Sequence, residues 1–190
     1  MLATRYQPCE NLPMMTLVAH KGCLVALDWQ TQKTQTLLAK ISKQAQYVSP
    51  NDLTTGVDNA NANVNTNANA NAKVLVHTIK QLNQYFNGQR QAFDIALDLT
   101  HGTPFQQKVW QALLHIAYGQ TVSYATLAAT IGQPTAYRAV ANANGKNPIS
   151  LIVPCHRVIA SDGGLGGYTG GVVIKQTLLK LEQGLQRISH

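Results

Sequence analysis

Residues 152–171 read IVPCHRVIASDGGLGGYTGG. At the centre of this stretch, Pro154-Cys155-His156-Arg157-Val158 sets a thiol beside an imidazole, directly behind the apolar run Leu151-Ile152-Val153. Apolar residues, a rigid turn, then a thiol next to a base is how a reactive cysteine is held in a partly buried pocket. Cys155 is therefore read as the reacting group. A thiol with a pKa near ~8.5 is mostly protonated at neutral pH, so it needs a base or a positive field. His156 is the candidate base. Chain neighbours point in different directions in a tight turn, so a bridging water is one route for the proton. A carboxylate would fix the imidazole tautomer, and the nearby acids are Asp162 and Glu182. Position favours Glu182, because it lies on a final helix that can fold back over the cysteine segment.

Outward from this stretch the pattern is helical on both sides. Ile174, Leu178 and Leu181 mark the last helix, stopped at Gly184. Upstream, Pro134 opens a predicted helix through Asn144-Gly145, and another runs from near Ser123 to Gly132 with Leu127, Ala128 and Ile131 inward. Two short helices joined by a Gly-containing turn make a helix-turn-helix. Before them, Thr103-Pro104-Phe105-Gln106 combines an N-cap, a first-turn proline and a capping-box glutamine, and Phe105, Val109, Leu113 and Ala117 continue one face to Gly119. Residues 100–190 are thus predicted as a mostly α domain with a winged-helix-like helix-turn-helix.

Residues 1–99 read as a separate α/β domain, a small antiparallel sheet with helix. Leu17–His20 and Cys23–Trp29 flank Lys21-Gly22 as a β-hairpin. A helix is expected within 33–48, a longer one from Lys73 with Leu75, Ile79, Leu82 and Phe86 to a stop at Gly88, and a half-buried strand over Phe93–Leu99. Between the helices, Asn occupies every odd position from Asn59 to Asn71. Asn and Ala are poor strand formers, so 54–72 is read as a mobile surface insertion without a function.

Charged residues make up 12% of the 190, yet 15 Lys+Arg against 8 Asp+Glu give a net charge of +7. That bias favours an anionic partner, nucleic acid before membrane, since no basic amphipathic helix is apparent. Three scattered cysteines, Cys9, Cys23 and Cys155, form no disulfide framework, and with His20 and His101 they fit no tight zinc motif, so no metal and no cofactor is expected. With no apolar secretory core and no run near the ~20 residues of a membrane helix, a cytoplasmic protein without membrane contact is the simplest expectation.

The order Ser123-Tyr124, then NPISLIVPCHRV over 147–158, then Gly167-Tyr168-Thr169-Gly170-Gly171 strongly resembles the O6-alkylguanine-DNA alkyltransferases, over about half of the chain. The resemblance implies a stand-alone repair protein that flips O6-methylguanine out of double-stranded DNA and takes the alkyl group irreversibly onto Cys155. O4-methylthymine is a further candidate lesion. His156, a water and Glu182 would form the thiolate relay. Tyr124 would assist flipping and protonate guanine N3, and Arg138 would replace the extruded base in the stack. Asn147 would act as a hinge between the helix-turn-helix and the cysteine segment. The Cys155 and Val158 carbonyls would accept from the exocyclic amine, with Tyr168 walling the base and Thr169 near O6. Ser123 and Ala139 would contact DNA at the start and along the face of their helices.

The family's second helix enters the minor groove, and the small residues Ala136, Ala139, Ala141 and Ala143 agree with binding that ignores sequence. A monomer is expected, with cooperative assembly on DNA as the alternative. Flipping is also a physical requirement, because an alkyl group on a paired base cannot reach a pocket thiol. The alternative functions are a non-catalytic alkylated-base-binding protein of the alkyltransferase-like type, a helix-turn-helix regulator and a cysteine hydrolase. Cys155 argues against the first, since such relatives typically carry tryptophan there. The regulator would need base-reading polar side chains on the 134–144 helix.

Overall fold

The computed structural model describes residues 1–29, 31–41, 45–53 and 66–184. They divide into two compact units, one formed by Met1–Asp98 and one that begins at Leu99.

In the first unit, strands β1 (Leu2–Tyr6), β2 (Met15–His20), β3 (Cys23–Asp28) and β4 (Gln46–Tyr47) form one sheet in the order β3-β2-β1-β4. β2 runs antiparallel to both neighbours, but β4 joins β1 in parallel, so the sheet is mixed rather than purely antiparallel. The β2–β3 hairpin turns where the sequence predicts it. Lys21 and Gly22 both have positive φ, 50° and 77°, as a two-residue hairpin turn matching strand twist requires. β2 is buried at every position before His20, which demands cover on both faces. Helix α1 (Thr31–Ile41) supplies one cover, packing Leu38 against Ala3, Val18 and Val25. Helix α2 (Thr66–Phe86) also packs on β1, β2 and β3 and buries Leu75, Leu82, Tyr85 and Phe86.

Three expectations change here. The helix expected within 33–48 ends at Ile41, and β4 follows it. The second helix starts at Thr66, so the last third of the Asn/Ala segment is helical: alanine is the best helix former, and buried Asn71 accepts a hydrogen bond from Gly22 N–H at 2.9 Å. The rest of that segment, 54–65, lies outside the described residues. Phe93–Leu99 is extended but not a strand of the sheet, touching it only through a bridge at Leu24 and Leu97. Its start is claimed by a side chain instead, since the Gln81 amide donates to Asp94 O at 3.0 Å and accepts from Asp94 N at 2.8 Å.

In the second unit, α3 (Pro104–Leu113) opens with the full capping box of Thr103 and Gln106. It ends at Leu113, not near Gly119, because His115 and Ile116 bond back three residues and tighten the chain. Ser123 caps α4 (Tyr124–Thr130) by accepting from Thr126 N–H at 2.9 Å. α5 (Tyr137–Gly145) starts three residues after Pro134, since Ala136 N–H first closes a turn on Gln133 O. Trp110 Nε1 donates to Ala143 O at 2.9 Å and locks α3 onto α5. Gly102 lies under the Trp110 ring, where a Cβ would fall 2.2 Å from it. Helix α6 (Val172–Glu182) closes the unit. A short parallel pair, β5 (Val122–Ser123) with β6 (Val158–Ile159), brings the start of α4 beside the segment that follows Cys155. No helix among the described residues is long and apolar enough to cross a membrane.

Candidate active site

Cys155 starts a single 3-10 turn, Cys155–Arg157, and is 1% exposed. Before it the chain makes a strained corner. Leu151, buried, has φ 73°, a conformation unfavourable for a branched side chain. Asn147 holds that corner, donating from Nδ2 to Val153 O at 2.8 Å and Ile149 O at 3.3 Å and accepting from Ile149 N at 3.0 Å. Asn147 is therefore buried at the junction of α5 and the cysteine segment.

His156 is fully buried, and its Nε2 lies 2.9 Å from Glu182 Oε1 on α6. Arg157 grips the same carboxylate twice, Nε to Oε2 at 2.9 Å and a second guanidinium nitrogen to Oε1 at 2.8 Å, and donates to Ile116 O at 2.6 Å. Gly119 N–H adds a bond to Oε2 at 3.1 Å. Burial alone would raise the Glu182 pKa, but the hydrogen bonds from His156 and Arg157 outweigh it and hold the carboxyl well below the usual range. For His156 burial wins, keeping its pKa below the ordinary value despite the Glu182 hydrogen bond. Arg157 already neutralises Glu182, which leaves less pull for the imidazole. A neutral imidazole giving Nε2–H to the carboxylate has its lone pair on Nδ1, and that atom is buried without a protein hydrogen bond. The site thus holds a base with its accepting nitrogen kept in reserve.

Beside the thiol, Tyr124, Ala141, Gly145, Gly167, Tyr168 and Thr169 line a cleft of about 370 Å³, within the range that takes a small ligand. Burial raises the Tyr124 pKa, the Cys155 charge adds to that, and the nearby Asn144 amide opposes it. Thr169 Oγ1 donates to Gly145 O at 3.4 Å, and the Tyr168 ring stands edge-on to His156 at 6.4 Å.

The structure therefore brings Tyr124, Tyr168 and Thr169 to one cleft beside Cys155, His156 and Glu182. Val158 is buried and Ser123 caps α4, on paired strands. Arg138 and Ala139 are exposed on the first turn of α5, outside the cleft lining, with the Arg138 guanidinium 5.5 Å from the Tyr137 ring centre. No group of three His, Cys, Asp or Glu side chains able to hold a metal ion gathers among the described residues.

Three residues escape the sequence reading. Arg157 was legible only as part of the PCHRV string. Asn144 passes for a helix end, yet it is buried and donates to Cys155 O at 3.3 Å. Lys175 is fully buried on α6, donating to Val158 O at 2.6 Å and also to Leu165 O, which ties the glycine-rich loop to β6. Burial brings its pKa down to about 8. Its spacing from Leu178 and Leu179, three and four positions on, was the available signal that it shares the apolar face.

Two family models match the chain in sequence order. Residues 14–99 match the ribonuclease-like domain of 6-O-methylguanine DNA methyltransferase, and residues 104–184 match its DNA-binding domain. A methylated-DNA--protein-cysteine methyltransferase of Methanosarcina barkeri is 54% identical over 104 residues, 55% of this chain and 65% of that protein. One from Mycobacterium tuberculosis is 57% identical over 105 residues, again 55% of this chain and 63% of that protein. The aligned stretch thus spans just under two thirds of those curated relatives. Over nearly the whole chain, the M. tuberculosis OGT crystal structure in complex with DNA superposes with a TM-score of 0.74 at 35% identity, covering 97% of this chain and 94% of that one.

Proposed function

Because the chain belongs to the 6-O-methylguanine DNA methyltransferase family, we propose that it repairs DNA by moving the methyl group of O6-methylguanine onto its own Cys155. The observation that carries this reading is the buried His156–Glu182 hydrogen bond, with the imidazole's accepting nitrogen unused next to a buried thiol. His156 Nδ1 takes the thiol proton through a water, and Glu182 and the low-dielectric surroundings fix the tautomer that can do so. The resulting thiolate attacks the methyl carbon. The carbon–O6 bond breaks with its electron pair passing to the purine, and the Tyr124 hydroxyl gives its proton to N3 so that a neutral base departs.

Duplex DNA is the partner, bound through the minor groove without regard to sequence, with Arg138 filling the gap left by the flipped nucleotide. Ser123 and Ala139 lie on the DNA side, and Asn147 couples α5 to the cysteine corner. The Cys155 and Val158 carbonyls, Tyr168 and Thr169 hold the base. The protein acts once, as a monomer in the cytoplasm.

Incubation with DNA carrying O6-methylguanine should add one methyl mass to the peptide that holds Cys155, with equimolar loss of lesion. Cys155→Ala should keep DNA affinity and abolish transfer. Bound DNA with an unmodified Cys155 would remove the function, and loss of both binding and transfer in the variant would make Cys155 structural.

A further inference from the structure

Tyr137 opens α5 with its side chain 44% exposed, and among the described residues of the second unit it is the one aromatic ring left so open to solvent. A single exposed ring is ordinary on a protein surface, but this one has both a place and a partner. Ala141 and Gly145, four and eight positions further along the same helix, line the cleft beside the thiol. Residues four apart share a helix face, so Tyr137 continues the cleft-lining side by one turn, to the rim of the cleft. Helical side chains lean toward the helix start, which carries the ring outward past that rim. There it meets Arg138. Neighbours in sequence do not face each other on a helix, yet the Arg138 guanidinium reaches to 5.5 Å from the Tyr137 ring centre, within the distance at which a cation is drawn to an aromatic face. Both side chains are exposed, so in the free protein water weakens that attraction. The same contact strengthens wherever the guanidinium loses its water, and the space between stacked base pairs is such a place.

We propose that Tyr137 is a positioning residue that backs Arg138 at the DNA, its ring holding the guanidinium in the space that the flipped nucleotide leaves. This rests on the alkyl-transfer reading above, in which Arg138 fills that space. An attraction that counts for little on the free protein and for more inside the stack favours the extrahelical lesion over the paired one. It therefore raises the share of bound lesions that stand in the cleft. The ring face supplies the attraction, so the Tyr137 hydroxyl is dispensable. Affinity for undamaged duplex, set by phosphate contacts, gains nothing from it.

The test is single-turnover methyl transfer to Cys155 at saturating protein. O6-methylguanine is supplied either in duplex DNA or in a single strand, where extrusion leaves no gap among paired bases. Tyr137→Ala should slow transfer from the duplex about fivefold to thirtyfold and leave the single-strand rate as in the wild type. Tyr137→Phe should restore the duplex rate, and Tyr137→Ala should add no loss to Arg138→Ala. An unchanged duplex rate in Tyr137→Ala would overturn the inference, as would equal slowing on both substrates, which would make the ring part of the cleft wall. A faster duplex rate would mean that the ring holds Arg138 back, and a loss that multiplies that of Arg138→Ala would mean that Tyr137 acts on DNA by itself. Either result would also overturn it. A wild type that transfers from neither substrate would strike the alkyl-transfer reading, and this inference with it.

Discussion

At the residue scale the site is governed by how many partners share Glu182. The carboxylate receives His156 and both sides of the Arg157 fork, all buried, and the half-buried Gly119 N–H. A buried ion pair contributes little net stability when whole, yet removing one member strands the other charge, at a cost of about 3–5 kcal/mol. Glu182→Gln should therefore lower the urea-unfolding free energy by that amount. The same cluster sets the pH response. His156 has its pKa lowered in the fold, so the unfolded chain takes up that proton first as pH falls below about 6.5, and Glu182, also lowered, adds the same effect below about 4.5. In both cases the unfolded state binds more protons, so the contribution is present at neutral pH and lost on acidification. Urea midpoints taken from about pH 8 to about pH 4 should fall steadily, with the first loss near the imidazole value; a midpoint constant across that span would refute the assignment of neutral His156 and ionised Glu182.

At the element scale the second unit depends on how closely helices approach the cysteine segment. Gly102 has no room for a side chain beneath Trp110, whose indole N–H in turn fixes α3 against α5. Gly102→Ala should cost about 1–3 kcal/mol, read by thermal or urea melting, because the added carbon would have to displace a buried ring. The elements also separate what a sequence discloses from what it hides. The capping box at Thr103 and Gln106, the Lys21-Gly22 turn and the helix start near Ser123 depend on residues a few positions apart, and all were legible. Phe93–Leu99 alternates like a strand but pairs its Asp94 backbone with the Gln81 side chain and only its Ala96–Asp98 part with Leu24, and Asn71 looks like low complexity but receives Gly22. Those outcomes depend on partners 13 and 49 positions away, which local pattern does not contain.

At the scale of the whole molecule, a chain with few charges still carries a net +7, and the candidate DNA-side residues Arg138 and Ala139 lie on the exposed start of α5. Affinity for undamaged duplex should fall linearly on a log–log plot against salt, with little dependence on sequence. Arg138→Ala should weaken binding and slow repair without altering the melting temperature, since its side chain is exposed. Unchanged repair kinetics would remove it from the role of gap filler. The candidate site was half legible in the same sense. Cys155, His156, Glu182 and Tyr124 follow from a contiguous motif and its resemblance. Lys175, Arg157 and Asn144 act on partners far along the chain, backbone carbonyls and the Glu182 carboxylate, and residue spacing names none of those partners.

The Glu182 carboxylate also constrains how this site can change over generations. Scaffold and chemistry draw on the same two oxygens, so substituting either Arg157 or Glu182 alone lowers stability before any altered activity can be selected. A double change that restores a well-packed, uncharged pair could recover the fold, but it would leave His156 Nε2 without its acceptor. Sequence drift at these three positions is therefore coupled: the arginine that looks purely structural is held in place by the histidine with which it shares the carboxylate.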